Sequence, residues 1–474
     1  MRLPILGLLL GLVAAVTAVS AQGREVLVVI DDEADKSRYG QFWADLEDRG
    51  FHLTYRSPKD PALSLFRHGI PSFSHLLIMP TAAKGLGPAL TAHQLVDFLN
   101  AGSNILLTLS GDRATPSALS SLLLELDIAL PPDRTSVVVD HFNYDTISAS
   151  DRHDVLVLPA SSSAKSPFFA VDGPIALPRP VGHVLGNVSP LLAPILRAPS
   201  TAYPYNPADE DGPSEDVFAT GAQIALTTAF QARNAARLIL LASAEALEDK
   251  WFSASVAAPG PKQSEKTANR AFARKLTEWA FKETGVLRAG AVRHGLVVSE
   301  KGEKHNVATA NTSAIGHAYS EIYRIKNHVQ YAIELSEWDS SSGRWSPFTL
   351  PAGDAVQLEF SMLSPFHRRN LTITTTTPNA TVFETDFVLP DQHGIFNFYV
   401  EYRRPFYTPV EDKRTVTVRH FAHNEWPRSF AISAAWPWIG GIGVTVIGWV
   451  AFVTVWLYSA PAQPKGELKV QVKR

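Results

Sequence analysis

The sequence predicts an α/β protein that gives way to a β-rich segment and ends in one transmembrane helix. Three observations lead there. Apolar strand-like runs alternate with amphipathic helical runs through residues 24–130, short alternating strands recur from Val292 onward, and Ser429 to Tyr458 is a run of 30 residues without a charged side chain. The expected fold is therefore α/β plus β: one or more N-terminal flavodoxin-like, doubly wound units, then an antiparallel β-sandwich, then one C-terminal transmembrane helix.

Taken in order, the chain opens with Arg2, an apolar run from Leu3 to Val16 and small residues at Val19-Ser20-Ala21. A basic start, a short apolar centre and small residues at the cut describe a secretory signal peptide over residues 1–21. Residues 22–130 form the first expected α/β domain. Glu25 to Ile30 is an apolar strand, and Asp31-Asp32 supplies a turn and helix cap. Tyr39 to Arg49 has helical spacing through Phe42, Trp43 and Leu46, with Gly50 closing it. Phe51–Tyr55, His75–Met79 and Asn104–Leu109 are further strands, and Thr91 to Asn100 is a helix with Leu95, Val96, Phe98 and Leu99 inward. Apolar strands alternating with amphipathic helices imply a parallel sheet covered on both faces.

Residues 131–285 are less regular and read as a second α/β unit packed on the first. Ser136–Val139, Val155–Leu158 and Ala236–Leu241 are its strands, and Ala268 to Glu283 is its amphipathic helix. Residues 286–428 change to strands and turns at Tyr331–Leu335, Ala355–Phe360, Leu371–Thr377, Gly394–Val400 and Thr415–Val418, the pattern of a sandwich. Within the uncharged run, Ile439 to Leu457 is long enough to cross about 30 Å of hydrocarbon. Trp436 and Trp438 sit at one edge of that span, Trp456 and Tyr458 at the other. Over residues 458–474, Lys465, Lys469, Lys473 and Arg474 outweigh Glu467. Basic residues stay on the cytoplasmic side, so the tail is expected in the cytosol and residues 22–428 in the lumen, a single-pass type I arrangement.

Composition narrows the chemistry. The 474 residues carry 43 basic and 46 acidic side chains, and that slight acidity argues against a nucleic-acid partner. With 45% hydrophobic and 19% charged residues, the chain can build real cores. Cysteine is absent, which excludes disulfides, thiolate zinc sites, iron–sulfur clusters and a cysteine nucleophile. Four Asn-x-Ser/Thr triplets, at Asn187, Asn311, Asn370 and Asn379, all fall on the expected luminal side as glycosylation candidates, although Pro190 weakens the first.

No catalytic constellation stands out. Gly85-Leu-Gly87 lacks the third glycine of a dinucleotide loop and does not follow the first strand, where Asp31-Asp32 would repel phosphate. Ser110-Gly111-Asp112 follows a strand without the Gly-x-Ser-x-Gly elbow. Asp140, His141, Asn143 and Asp145, with Asp151, His153 and Asp154 nearby, resemble a hard-metal or acid–base cluster, but polar residues leaving a strand more often make turns. The same holds for His420, His423 and Glu425, while Asp209-Glu210-Asp211 with Glu215 and Asp216 reads as a solvated loop. No cofactor or metal is expected. The span itself is more suggestive, because Gly441, Thr445 and Gly448 share one helix face on which a second helix can pack closely.

Several stretches, in order and across nearly the whole chain, resemble the 48-kilodalton subunit family of oligosaccharyltransferase. They are Val26–Asp32, Val139–Asp145, Ile195–Tyr203, Gln231–Arg237, Val356–Phe360, Tyr402–Pro405 and His423–Glu425. The resemblance implies an endoplasmic reticulum membrane protein that does no chemistry itself. Its partners would be other oligosaccharyltransferase subunits, among them the polytopic catalytic one, with the nascent polypeptide acceptor reached indirectly. Some members of that family end in a dilysine retrieval signal, whereas Gln471 and Val472 stand at those positions here. A luminal hydrolase built on Ser110 or the Asp140–Asp145 cluster, and a type I cargo receptor, are the alternatives. The tail from Pro461 carries no tyrosine or dileucine sorting pattern, which weighs against the receptor.

Overall fold

Strand Glu25–Val29 (β1) is buried at every residue after Glu25, so both of its faces need cover. In the computed structural model, which describes residues 20–133, 136–163, 166–187, 189–206, 218–260, 264–297, 321–426 and 435–461, four helices provide it. They are Gly40–Asp48 (α1), Ala92–Asn100 (α2), Ser117–Glu125 (α3) and Asn269–Ala280 (α4). Val26 and Val28 share a core with Phe42, Leu46, Phe272 and Leu276 of α1 and α4. Leu27 and Val29 point the other way, into a core with Leu95, Phe98, Leu119 and Leu122 of α2 and α3. Local chemistry sets the boundaries: Asp32 accepts the Asp35 N–H at 2.9 Å, and Thr91 caps α2 by accepting the Gln94 N–H at 3.3 Å.

The sheet contains β1 with His52–Arg56 (β2), His75–Ile78 (β3), Asn104–Thr108 (β4), Leu192–Arg197 (β5), Ala225–Gln231 (β6) and Arg237–Leu241 (β7). Its order is β5-β6-β7-β4-β3-β1-β2. Strands β7, β4, β3, β1 and β2 run parallel; at the edge β6 pairs antiparallel with β7, and β5 antiparallel with β6, so that β5 runs with the parallel set. One sheet therefore crosses the boundary expected at residue 130: of the strands assigned to a second unit, Ala236–Leu241 extends the first sheet, while Ser136–Val139 and Val155–Leu158 lie outside it. The signal was weak because β6, Ala-Leu-Thr-Thr-Ala-Phe-Gln, is buried through Phe230 and so does not alternate. The stretch between α3 and β6 contributes short antiparallel ribbons, among them Val137–Val139 with Tyr203–Tyr205 and Val155–Leu158 with Ile175–Pro178.

The β-rich part has two five-stranded sheets. One orders Leu287–Leu296 (β8), His328–Asp339 (β10), Thr381–Val388 (β14) and Thr372–Thr376 (β13), with Arg344–Pro347 added on β10. The other orders Ile322–Arg324 (β9), Val410–Arg419 (β16), Gly394–Tyr402 (β15), Gln357–Ser361 (β11) and Pro365–Asn370 (β12). Alternate residues of both sheets enter one core, where Tyr331, Ile333 and Phe383 meet Leu358, Phe396 and Phe398. The Phe360 and Phe396 rings stack at 4.7 Å. Ala435–Tyr458 (α5), 24 residues or about 36 Å at 1.5 Å per residue, packs against nothing else in the described structure.

Candidate functional site: a filled sheet crevice, an inter-part groove and a membrane helix

In open α/β sheets a ligand sits beyond the C-terminal ends of the parallel strands, where strand order reverses. Here that point lies beside β1, which has β2 on one side and β3 on the other. The chain fills it with its own charges. Asp31 takes the Thr81 hydroxyl, the Ala82 N–H at 2.7 Å and Arg113 Nη1 at 3.3 Å. Arg113 also donates to the Pro80 carbonyl at 2.9 Å and lies 2.7 Å from Asp35. Arg38 pairs with Glu248, and Arg179 joins Asp112 to Glu245, the latter at 2.8 Å. Burial raises the Glu245 carboxyl above its usual range, and Arg179 opposes that rise. About 30 Å³ remains, room for a water rather than for a ligand site of the usual 300–1,000 Å³.

Ser110 lies in this crevice, but its hydroxyl accepts the Asp112 N–H at 3.2 Å, and none of the lining side chains is a histidine. A nucleophilic serine needs a base within hydrogen-bond reach. Among the described residues Ser110 closes its own turn, and no histidine or carboxylate accepts from its hydroxyl. Gly87, at φ 78°, approaches the Pro58 carbonyl, which explains that glycine without a phosphate.

The Asp140–Asp145 stretch is also tied up internally. Asp140 is fully buried and accepts the Thr201 hydroxyl, the N–H groups of Phe142 and Asn143, and the Asn143 amide. Asp145 accepts Ile147 and Ser148 N–H, the Ser148 hydroxyl and the Ala257 N–H at 2.9 Å. His141 and His153 touch through their Nδ1 atoms, with Tyr203 Oη 2.9 Å from His141 Nε2 and the Ser150 carbonyl 3.0 Å from His153 Nε2. One tautomer arrangement satisfies all three contacts with both rings neutral: Tyr203 donates to His141, His141 to His153, and His153 to Ser150. Asp151 is exposed and Asp154 contributes its carbonyl to Arg179 N–H at 2.7 Å. Among the described residues no three His, Asp or Glu side chains converge on a metal-sized point.

Glu425 likewise has a structural task. It receives both Arg419 nitrogens at 2.7 and 2.9 Å and the Ala422 N–H at 2.8 Å, and Arg419 holds its carboxyl down at about 2. Arg324 caps the Phe421 ring nearby, so the last described segment before the helix is clamped to the β-rich part. The His420 ring lies against that of His393, tilted by 38°, and His423 is exposed.

A more open space lies elsewhere. A groove of about 270 Å³ separates the edge at Leu191–Ala193 and Gln231–Arg233 from the loop Arg403–Tyr407, with Trp279 in its wall. Two of the stretches that carry the family resemblance therefore face each other across it. Arg237 pins its base. This guanidinium is fully buried, donates to the carbonyls of Trp279 at 2.8 Å, Thr284 at 2.7 Å and Gly285 at 2.7 Å, and stands over the Trp279 ring. Trp279 Nε1 reaches the Phe406 carbonyl at 2.8 Å, and Gln231 reaches that of Tyr407 at 2.9 Å. The sequence signal for this pin was an arginine heading an otherwise apolar strand.

Comparison with known proteins decides the family. Residues 17–283 match the OST48 N-terminal domain, and residues 305–460 match the OST48 middle domain. The chain belongs to the OST48 family. Among its curated relatives is the dolichyl-diphosphooligosaccharide–protein glycosyltransferase 48 kDa subunit of Arabidopsis thaliana, 30% identical over 92% of this chain and 93% of that protein. The subunit wbp1 of Schizosaccharomyces pombe is 33% identical over 94% of each, and the 48 kDa subunit of Danio rerio is 32% identical over 93% of each. A ThuA-like protein from Parabacteroides merdae overlaps 54% of the chain at a TM-score of 0.30 and 10% identity, too loosely to carry an argument.

In this OST48-family chain the membrane helix presents Gly441 and Gly448 to open space. The Thr445 hydroxyl bonds back to the Gly441 carbonyl at 2.9 Å, which hides its polar atom from lipid and leaves its methyl group on the surface. Asn187, Asn370 and Asn379 are exposed, as glycosylation requires. Asn311, the acidic stretch 209–216, the expected signal peptide through residue 19 and the tail beyond residue 461 lie outside the described residues.

Proposed function

We propose that this chain is a non-catalytic, scaffolding subunit of the endoplasmic reticulum oligosaccharyltransferase complex. That complex moves a preassembled oligosaccharide from dolichyl diphosphate to the asparagine of Asn-x-Ser/Thr in nascent proteins. The observation that carries the reading is the match to subunits of that name over 92–94% of the chain. The crevice supports its non-catalytic half, because the place where such a sheet would hold a ligand is filled by Arg38, Arg113, Arg179 and their carboxylates. In this reading a leader over residues 1–21 is removed. A flavodoxin-like α/β part (residues 22–285) and a β-sandwich (residues 286–428) stand in the lumen, and residues 439–457 span the membrane ahead of a cytoplasmic tail over 458–474. Asn187, Asn311, Asn370 and Asn379 are its glycan acceptors. The groove beside Arg233 is the place for an acceptor polypeptide to lie against the scaffold on its way to the polytopic catalytic subunit.

Purification through a tag on the C-terminal tail in mild detergent tests the reading. Co-purification of a polytopic glycosyltransferase, with transfer to an Asn-x-Thr peptide, is expected, and Ser110→Ala should leave that transfer unchanged. A chain recovered alone and inactive would return the hydrolase and receptor alternatives. The helix face predicts more. Gly441→Leu with Gly448→Leu fills the surface that lets another helix approach, so the yield of intact complex should fall several-fold while the chain itself still inserts. Unchanged assembly in the double variant would remove Gly441, Thr445 and Gly448 from the interface.

A further inference from the structure

One end of the β-rich part exposes apolar surface that its folding does not explain. Strand register places four connections there: Gly394 pairs with Val418, Arg324 with Arg419, Ser361 with Asn397 and Pro365, and His328 with Val388. The turn at Lys326-Asn327, the tight link Met362–Ser364, the loop 389–393 and the segment after Arg419 are therefore neighbours. Contacts agree. Lys326 is 2.8 Å from Asp391, the Leu389 N–H reaches the Asn327 carbonyl at 2.8 Å, and the His393 and His420 rings are 4.0 Å apart. At the tip of the tight link, Leu363 is 97% exposed. Turn positions favour Gly, Asn, Asp and Ser, so a leucine held entirely in solvent gives this hairpin nothing. Val388, Ile395 and Trp426, at the same end, are each more than half exposed.

This is also the end from which the chain leaves for its helix. Eight residues separate Trp426 from Ala435, and a stretch of that length reaches no more than roughly 30 Å. The end is prepared for low polarity. Asp386 is matched by His328 at 2.7 Å, Asp391 by Lys326, and Glu425 by Arg419, so a lipid surface would strip water from none of these carboxylates unpartnered.

We propose that this end of the β-rich part rests on the bilayer that holds its own helix, with Leu363 entering the boundary between headgroups and acyl chains. The inference rests on reading Ala435–Tyr458 as a membrane span. It gives the scaffold two attachments to the membrane instead of one, which fixes the height and tilt of the luminal parts.

Because the chain has no cysteine, Leu363→Cys provides a single labelling site, and its exposure makes the change harmless to folding. The full-length chain, labelled there with an environment-sensitive fluorophore, is placed in bilayer nanodiscs and quenched either by brominated phospholipid or by aqueous iodide. Ser342→Cys, in the turn beyond the other end of β10, is the water control, and Val446→Cys in the helix is the lipid control. The expected result is lipid quenching at 363 and 446 but not at 342. Iodide quenching at 363 equal to that at 342, with 446 still lipid-quenched, overturns the proposal and leaves the membrane span intact. A probe at 363 reached by neither quencher in the assembled complex overturns it in favour of a protein neighbour. Failure of lipid quenching at 446 refutes the membrane span and this inference with it.

Discussion

Arg237→Met is expected to destabilise the α/β part by about 3–5 kcal/mol, with each carbonyl it abandons contributing roughly 1–3 kcal/mol. Among the described residues Arg237 has no carboxylate partner. Burial alone pulls its guanidinium down to about 9, so it remains charged at neutral pH and disperses that charge over the carbonyls of Trp279, Thr284 and Gly285 and the face of Trp279. Methionine fills similar space and removes the desolvation of the cation, which offsets part of the loss. It cannot donate, however, and three acceptors from the end of α4 and the link to β8, two of them buried and Thr284 half-buried, lose their partner together. Lysine keeps the charge but not the planar fork, so Arg237→Lys should recover only part of the stability. Urea titration read by tryptophan fluorescence measures the loss, with exposed Arg233→Met as the control. Protease cutting near residues 284–286 should rise in parallel, because Arg237 joins the α/β sheet to the chain leading into the β-rich part. Equal midpoints for the two methionine variants would show that the carbonyl cluster does not depend on Arg237.

How legible this was in the sequence depended on whether a residue served a local or a distant need. Strands β1, β3 and β4 and helices α1 and α2 announced themselves because each buries one stripe or one run: Phe42, Trp43 and Leu46 in α1, or Leu95, Phe98 and Leu99 in α2. The membrane helix was equally plain, since lipid demands uncharged length. Strands β5 and β6 were not, because an edge strand containing Pro194 and a buried strand of small residues and threonines have no period to detect. Asp140, Asp145 and Glu425 drew attention as chemistry and proved to be acceptors for nearby backbone N–H groups, a role that sequence spacing alone does not separate from a metal site. The crevice depended on charges far apart in the chain. Nothing local links Arg179 to Asp112 and Glu245, or Arg38 to Glu248; only the tertiary fold brings them together.

Acid should weaken the fold through its buried histidines, and two substitutions should shift that sensitivity in opposite directions. His75 is fully buried, with Nε2 positioned to donate to the Gly23 carbonyl at 3.2 Å and Nδ1 to accept from the Asn104 amide at 3.1 Å. Burial pushes it down to about 3, as it does His183, while His294 falls to about 4. These rings stay neutral in the folded chain, but each takes a proton below about pH 6.5 once unfolded. Their stability is therefore complete above pH 6.5 and lost as pH falls, at about 1.4 kcal/mol per pH unit for each ring. Glu283 works the other way. Burial lifts it to about 7 despite Arg49 at 2.8 Å, so between pH 7 and about 4.5 the folded state holds a proton that the unfolded state has released. Glu245 and Glu337 are lifted in the same sense and trim the fall further. Glu425, held near 2, starts to matter only below about pH 4.5, which leaves a usable window from pH 6 to 4.5. In that window His75→Gln, whose amide can keep both hydrogen bonds, should flatten the loss of stability by one proton, or about 2 kcal/mol over the window. Glu283→Gln should steepen it by a similar amount. Urea midpoints measured across the window decide both. A slope unchanged by His75→Gln would mean that His75 is protonated in the folded chain. A slope unchanged by Glu283→Gln would mean that Arg49 keeps that carboxyl ionised.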